Sequence, residues 1–217
     1  MSQHKSQKGF VTFAQNTESV DYLKLAYLQA MNVKSTQQSA EYAVIVDKST
    51  ASLITEQHRK VFDYVIELAE DYNDPASQWK LLNEWQIFWL TPFKETIKLE
   101  SDLLFPVSID HWWNIFRLKD LVLSTGCKNY LGKSSDVRNY RQLFDDNNLP
   151  DIYNGLMYFR YTQTAEEFFR TAQALFLNWD NVKNQLAKCG EDKPTTDVVY
   201  AITSLIVGTE RVTMPSM

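Results

Sequence analysis

The stretch YAVIVD, Tyr42–Asp47, constrains the fold more than any other: five apolar residues in succession, then a carboxylate. A strand with one solvated face alternates apolar and polar residues, whereas an unbroken apolar run suits a strand covered on both faces. Such strands belong to parallel sheets with helices on either side, and the rest of the chain alternates accordingly. GFVTFAQ (Gly9–Gln15) is β-branched and aromatic, and a helix follows with Leu23, Ala26, Tyr27 and Ala30 on one face. VFDYVIEL (Val61–Leu68), ETIKLESD (Glu95–Asp102), LKDLVLST (Leu118–Thr125) and GLMYFRY (Gly155–Tyr161) read as further strands.

Between them, SQWKLLNEWQIFWL (Ser77–Leu90) reads as an amphipathic helix stopped ahead of Pro92, and VRNYRQLFDD as another helix. Thr164 and Glu167 have capping-box spacing for a long helix, and a last helix is expected from near Thr195. The expectation is an α/β protein with a mostly parallel central sheet flanked by helices. It forms a single domain over residues 9–217 behind a disordered tail of residues 1–8.

Composition narrows function by exclusion. A net charge of -5 argues against a general polyanion binder, although it leaves room for a local basic patch. Six glycines include neither GxGxxG nor a P-loop, which disfavours dinucleotide binding by that route and ATP hydrolysis. Cys127 and Cys189 lack metal-ligand spacing and read as reduced thiols. MSQHKSQKGF has no apolar core of a signal peptide, and no apolar run approaches the roughly 18 residues that span a bilayer. A soluble cytoplasmic protein is expected, with no membrane partner.

Glu100 and Asp102 interrupt the apolar run of KLESDLLFP, where burial without partners would cost several kcal/mol. If the strand continues to Asp102, both side chains share a face at its C-terminal edge, where open α/β sheets bind ligands. Two hard oxygen donors there suit Mg²⁺ or Mn²⁺ beside phosphate oxygens. From the spacing alone, a surface turn with solvated acids is the simpler reading.

Three segments resemble glycosyltransferases of the GT-A fold. FKETIKLESDLLFPVSIDHWW (Phe93–Trp113) looks like their Asp-x-Asp segment, with Glu100 in place of the first Asp. LPDIYNGLMYFR (Leu149–Arg160) is similar to the Asn-x-Gly element of the retaining, glycogenin-like family, with Asn154 and Gly155 adjacent. KPTTDVVYAI (Lys193–Ile202) sits where that family has Asp-Gln-Asp, and keeps Asp197. TFAQN…DYLKLAY, TPFKETIKLESD and DIYNGLMYFRY resemble a group of bacteriophage proteins implicated in glycosylating hydroxymethylated cytosine in phage DNA.

The resemblance implies transfer of a sugar from a nucleoside-diphosphate sugar to a hydroxyl. The donor would be UDP-arabinose or UDP-glucose, the acceptor 5-hydroxymethylcytosine in DNA, and the location the host cytoplasm. Glu100 and Asp102 would hold Mn²⁺ or Mg²⁺ against the diphosphate. Thr12, Ala14 and Gln15 at the end of the first strand, and Asp47 at the end of the second, would meet the nucleoside. Asp47 equally suits a helix cap, and the other three an ordinary strand end. Lys80 and Asn83, about one turn apart on the expected helix, would face a phosphate or sugar, or merely solvent. Asp151, Asn154 and Asp197 would surround the sugar. One of the two Asp residues would serve as base in an inverting reaction, or both would orient the sugar in a retaining one.

Lys128, Lys133, Arg138, Tyr140 and Arg141 form a locally basic, aromatic stretch in an acidic chain. They suit contacts to DNA phosphates and an extruded base, or a solvated surface that balances charge. The six tryptophans read as core. A sugar nucleotidyltransferase would carry a Gly-rich basic loop after the first strand, and AQNTESVDY is not one. A catalytically inactive binding module and a transferase acting on a non-DNA acceptor remain as alternatives.

Overall fold

The computed structural model describes residues 6–38, 40–127 and 141–209. Six strands form one sheet: β1 (Ser6–Ala14), β2 (Tyr42–Val46), β3 (Tyr64–Glu67), β4 (Phe93–Leu99), β5 (Leu121–Thr125) and β6 (Ile152–Arg160). The helices are α1 (Tyr22–Thr36), α2 (Lys48–Ala51), α3 (Glu56–Arg59), α4 (Ile87–Leu90), α5 (Trp112–Phe116), α6 (Arg141–Asp146), α7 (Gln163–Leu177), α8 (Trp179–Lys183) and α9 (Thr196–Val207). A 3-10 turn, Glu84–Gln86, leads into α4.

The strand order is β3-β2-β1-β4-β6-β5. β3, β2, β1 and β4 run parallel, while β6 lies antiparallel to both β4 and β5. All five residues of β2 are buried, as its unbroken apolar run requires. Successive residues of β1 serve opposite faces. Phe10 packs with Leu23, Ala26, Ile97 and Trp113 on the α1 and α5 side, and Val11 packs with Phe93, Met157, Phe168 and Tyr200 on the α7 and α9 side.

Several boundaries differ from the sequence expectation. Residues 6–8, expected in a disordered tail, are the first of β1, with Ser6 N–H donating to Pro92 O at 3.2 Å. The helix expected over Ser77–Leu90 is confined to its last residues, because the side chain of Asn83 closes a loop instead. Its Oδ1 accepts from Tyr72 N–H and its Nδ2 donates to Asp71 Oδ1. The cap of α7 is Thr162, which accepts from Ala165 N–H, rather than Thr164. α9 begins where expected, with Thr195 as its cap.

The antiparallel insertion of β6 matters most for function. A parallel strand would place its C-terminal end beside that of β4; β6 instead places its beginning there. Leu99 pairs with Leu156, and Glu100 N–H donates to Gly155 O at 2.9 Å. Two segments distant in sequence are thereby locked side by side.

Candidate donor-binding cleft

At the C-terminal edge of β1 and β4 lies an open cleft of about 280 Å³. Its lining includes Gln15, Lys80, Glu84, Lys98, Glu100 and Asp102. β4 ends at Leu99, so Glu100 and Asp102 converge through a turn rather than through the strand pleat expected of them. That turn closes with Leu103 N–H donating to Glu100 O. It is gripped from α1 by Gln29, whose Nε2 donates to Glu100 O at 2.6 Å and to Leu103 O at 2.8 Å. Gln29 Oε1 in turn accepts from Tyr42 O–H.

Burial pushes the Glu100 carboxyl above its ordinary pKa; nearby Lys98 opposes the rise, and Asp197, Glu84 and Asp102 add to it. Tyr153 O–H approaches Glu100 Oε2 at 3.4 Å. Gly155 makes room for that approach: a Cβ at this position would lie 2.4 Å from the Tyr153 ring.

Glu100 and Asp102 face one space and sense each other's charge. Mg²⁺ or Mn²⁺ takes one or two carboxylates and completes its shell with phosphate oxygens and water, so the pair fits such an ion. Among the described residues, no group of three His, Cys, Asp or Glu side chains is arranged to hold a metal.

Beneath the acidic turn lies a buried charge network. Lys98 Nζ, 3% exposed, meets Glu84 Oε2 at 3.1 Å and donates to Asn154 O at 3.2 Å. Asn154 N–H donates to Asp197 Oδ1 at 2.8 Å, and Asp197 Oδ2 lies 3.9 Å from Arg141. Arg141 also pairs with Asp151 and donates to Ile152 O at 3.1 Å. Asp151, Asn154 and Asp197 are thus brought together at the start of β6. Asp151 is the most exposed of the three.

The remaining expected residues divide. Gln15 is 3% exposed, and neither its Nε2 nor its Oε1 has a partner. An amide buried in that state costs about 1–3 kcal/mol per unsatisfied group and calls for an explanation. Thr12 lines the cleft but donates its hydroxyl to Leu99 O at 2.8 Å. Ala14 is fully buried in the core, and Asp47 caps α2 by accepting from Thr50 N–H and Ser49 O–H. Asn83 is fully buried in its loop, which removes it from any ligand. Lys80 is not on a helix; its Nζ bonds Asp74 O and Pro75 O at the cleft rim.

Arg141, expected to meet an acceptor, is turned inward and 7% exposed. Its guanidinium is committed to Asp151 and Ile152 O because α6 packs it beneath the start of β6. Lys128, Lys133, Arg138 and Tyr140 lie outside the described residues. The sequence reading missed Glu84, Lys98 and Gln29. It also missed Trp79, which lines the cleft and donates its Nε1–H to Pro194 O instead of packing in the core. No helix among the described residues is long and apolar enough to cross a membrane.

No protein-family model and no curated protein matches the sequence. Solved structures do match its fold. Mouse xyloside xylosyltransferase 1 in its apo form superposes with a TM-score of 0.58 at 8% identity, over 97% of this chain and 85% of that one. The galactosyltransferase LgtC, in complex with donor and acceptor sugar analogues, gives 0.57 at 9% identity, over 94% and 72%. The glycosyltransferase GlyE of Streptococcus pneumoniae TIGR4 gives 0.55 at 9% identity; this chain spans 45% of its length. The architecture is that of GT-A glycosyltransferases, an α/β domain with a mostly parallel sheet.

Proposed function

We propose that the protein is a glycosyltransferase that takes a sugar from a nucleoside-diphosphate donor held in this cleft and attaches it to a hydroxyl. The observation that carries this reading is Gln15: a fully polar, partnerless amide buried in the wall of a cleft that also presents Lys80, Lys98, Glu100 and Asp102. Gln15 would pair with the nucleoside, and Trp79 and Tyr22 offer it aromatic surface. Lys80 at the rim would meet phosphate charge.

A divalent ion held by Glu100 and Asp102 would supply Lewis-acid stabilisation of the departing diphosphate. In the transfer, the acceptor oxygen bonds to the anomeric carbon while the carbon–oxygen bond to the diphosphate breaks. The diphosphate leaves with the electron pair, and the acceptor's proton passes to a base. Asp151 has the exposure for that base in an inverting reaction, whereas Asp197 is committed to Asn154 N–H and positions the start of β6. In a retaining reaction both acids would orient the sugar.

The donor we propose is UDP-arabinose or UDP-glucose, and the acceptor 5-hydroxymethylcytosine in phage DNA. The resemblance of the three sequence segments supports both. Lys128, Lys133, Arg138 and Tyr140 are the groups proposed to hold the DNA; the inward commitment of Arg141 removes it from that set.

The test is a thermal-shift panel of nucleoside diphosphates and their sugar conjugates, with and without Mn²⁺, followed by mass analysis of hydroxymethylcytosine DNA incubated with the stabilising donor. A ligand that binds the folded state raises its melting temperature by mass action. A metal-dependent shift with a uridine conjugate, then a DNA mass increase of one sugar, is expected. Absence of any shift would overturn the donor site, and a shift with unmodified DNA mass would overturn the acceptor.

A further inference from the structure

The buried pair Glu84–Lys98 has no place in the reaction as described so far. Both residues line the cleft, yet the pair is shielded, with side chains 7% and 3% exposed. Burying two charges is costly, and an apolar pair of similar volume would commonly serve stability as well or better. Its position therefore calls for a use. The contacts of Glu84 with Lys98 and with Asn154 Nδ2 (3.5 Å) both fall on Oε2, which leaves Oε1 for whatever occupies the cleft. Next to it, Asn154 Oδ1 is buried with no hydrogen-bond partner. A cleft-lining carboxylate and, on the residue that touches it, an acceptor without a donor thus adjoin, and sugar hydroxyls are donors of the matching kind.

We propose that Glu84 is a specificity-determining residue for the transferred sugar: its Oε1 accepts a hydrogen bond from a sugar hydroxyl, with Asn154 Oδ1 accepting from a neighbouring one. Lys98 is the positioning residue. It neutralises the carboxylate and fixes it by holding Oε2 and, through Asn154 O, the backbone of β6. A carboxylate held this way reads which hydroxyls the sugar carries and how they are arranged. A sugar whose hydroxyl points elsewhere leaves Oε1 buried and unpaired, which is where discrimination arises.

This inference rests on the donor-site reading, and the experiment separates the two. Calorimetric dissociation constants are measured with Mn²⁺ for UDP and for UDP-glucose, UDP-galactose and UDP-arabinose, on the parent protein, Glu84→Gln and Glu84→Asp. Glu84→Asp keeps the charge beside Lys98 and withdraws the reach. The expected result is that both variants bind UDP within about twofold of the parent. They should lose about tenfold or more for the preferred sugar conjugate, the worth of one hydrogen bond to a charged group, and should flatten the ranking of the three sugars.

Equal weakening of UDP and its conjugates, or an unchanged advantage of conjugate over UDP, would overturn the role of Glu84 while leaving the donor site standing. A parent protein that gains nothing from any sugar would do the same. A parent protein that binds neither UDP nor a conjugate would overturn the donor site, and the role of Glu84 with it.

Discussion

β4 carries two ion pairs three residues apart, and they are opposites. Glu95 meets Arg117 at 2.7 Å, and its carboxylate also takes Gln7 Nε2–H at 3.2 Å and Tyr158 O–H at 3.3 Å. The Arg117 side chain is 39% exposed, and three side chains satisfy the Glu95 carboxylate. Burial, reinforced by Glu95, pushes the Tyr158 hydroxyl far above its ordinary pKa, so it stays a donor. Lys98 and Glu84 are almost sealed from solvent, yet their surroundings are unfinished, with Asn154 Oδ1 and both amide atoms of Gln15 lacking partners. A satisfied, half-solvated pair closes a structure, and a sealed pair among orphaned polar atoms points to a site.

The comparison breaks first on stability. Lys98→Ala leaves Glu84 charged in a dry place and should cost about 3–5 kcal/mol, whereas Arg117→Ala should cost about 1 kcal/mol or less after solvent screening. Urea denaturation of the two variants compares these directly, and equal losses would erase the distinction. Replacing both partners, Lys98→Met with Glu84→Leu, should recover most of the loss and still weaken the sugar conjugate about tenfold relative to the parent. Recovered stability with a weakened conjugate in that double variant would show that the pair serves the ligand, and parental affinity for the conjugate would show that it does not.

A smaller effect is expected at Gln15. Gln15→Met removes two unsatisfied atoms from a buried wall at nearly constant volume, so the ligand-free protein should gain about 1 kcal/mol while its affinity for the nucleotide falls. Calorimetric melting with and without donor reads both signs.

The slightest effect is one of pH. Because Glu100 binds its proton more tightly folded than unfolded, its charged form costs stability above the folded pKa, and that cost vanishes below the unfolded value of about 4.3. Glu100→Gln should therefore melt above the parent at pH 7, and the difference should shrink as pH falls toward 4. A difference that grows on acidification would contradict a raised carboxyl.

The sheet was legible because its signals are local. β2 is an apolar run, and α9 follows a capping threonine at the expected place. The acidic turn was legible because two carboxylates inside an apolar stretch need a reason. Asn83 was misread because helical spacing over Ser77–Leu90 concealed a side chain whose partners, Asp71 and Tyr72, precede it in a loop. Arg141 was misread because its partners Asp151 and Asp197 are assembled only by tertiary packing. Lys98 did leave a trace: a lysine between Ile97 and Leu99 in a strand that must be covered on both faces has to find a buried counter-charge. Glu84 left none, since an acid on an expected amphipathic helix reads as solvated.

The backward strand has a further consequence. Since the ladder fixes Leu99 against Leu156 and Glu100 against Gly155, the distance between the acidic turn and Asn154 is set by backbone geometry and not by the chain that connects them. That connection contains α5, β5, α6 and residues 128–140, and lengthening a loop costs only about 0.6 kcal/mol per doubling. The ladder acts as a fixed ruler between the acidic turn and Asn154, whatever length of chain runs between its marks.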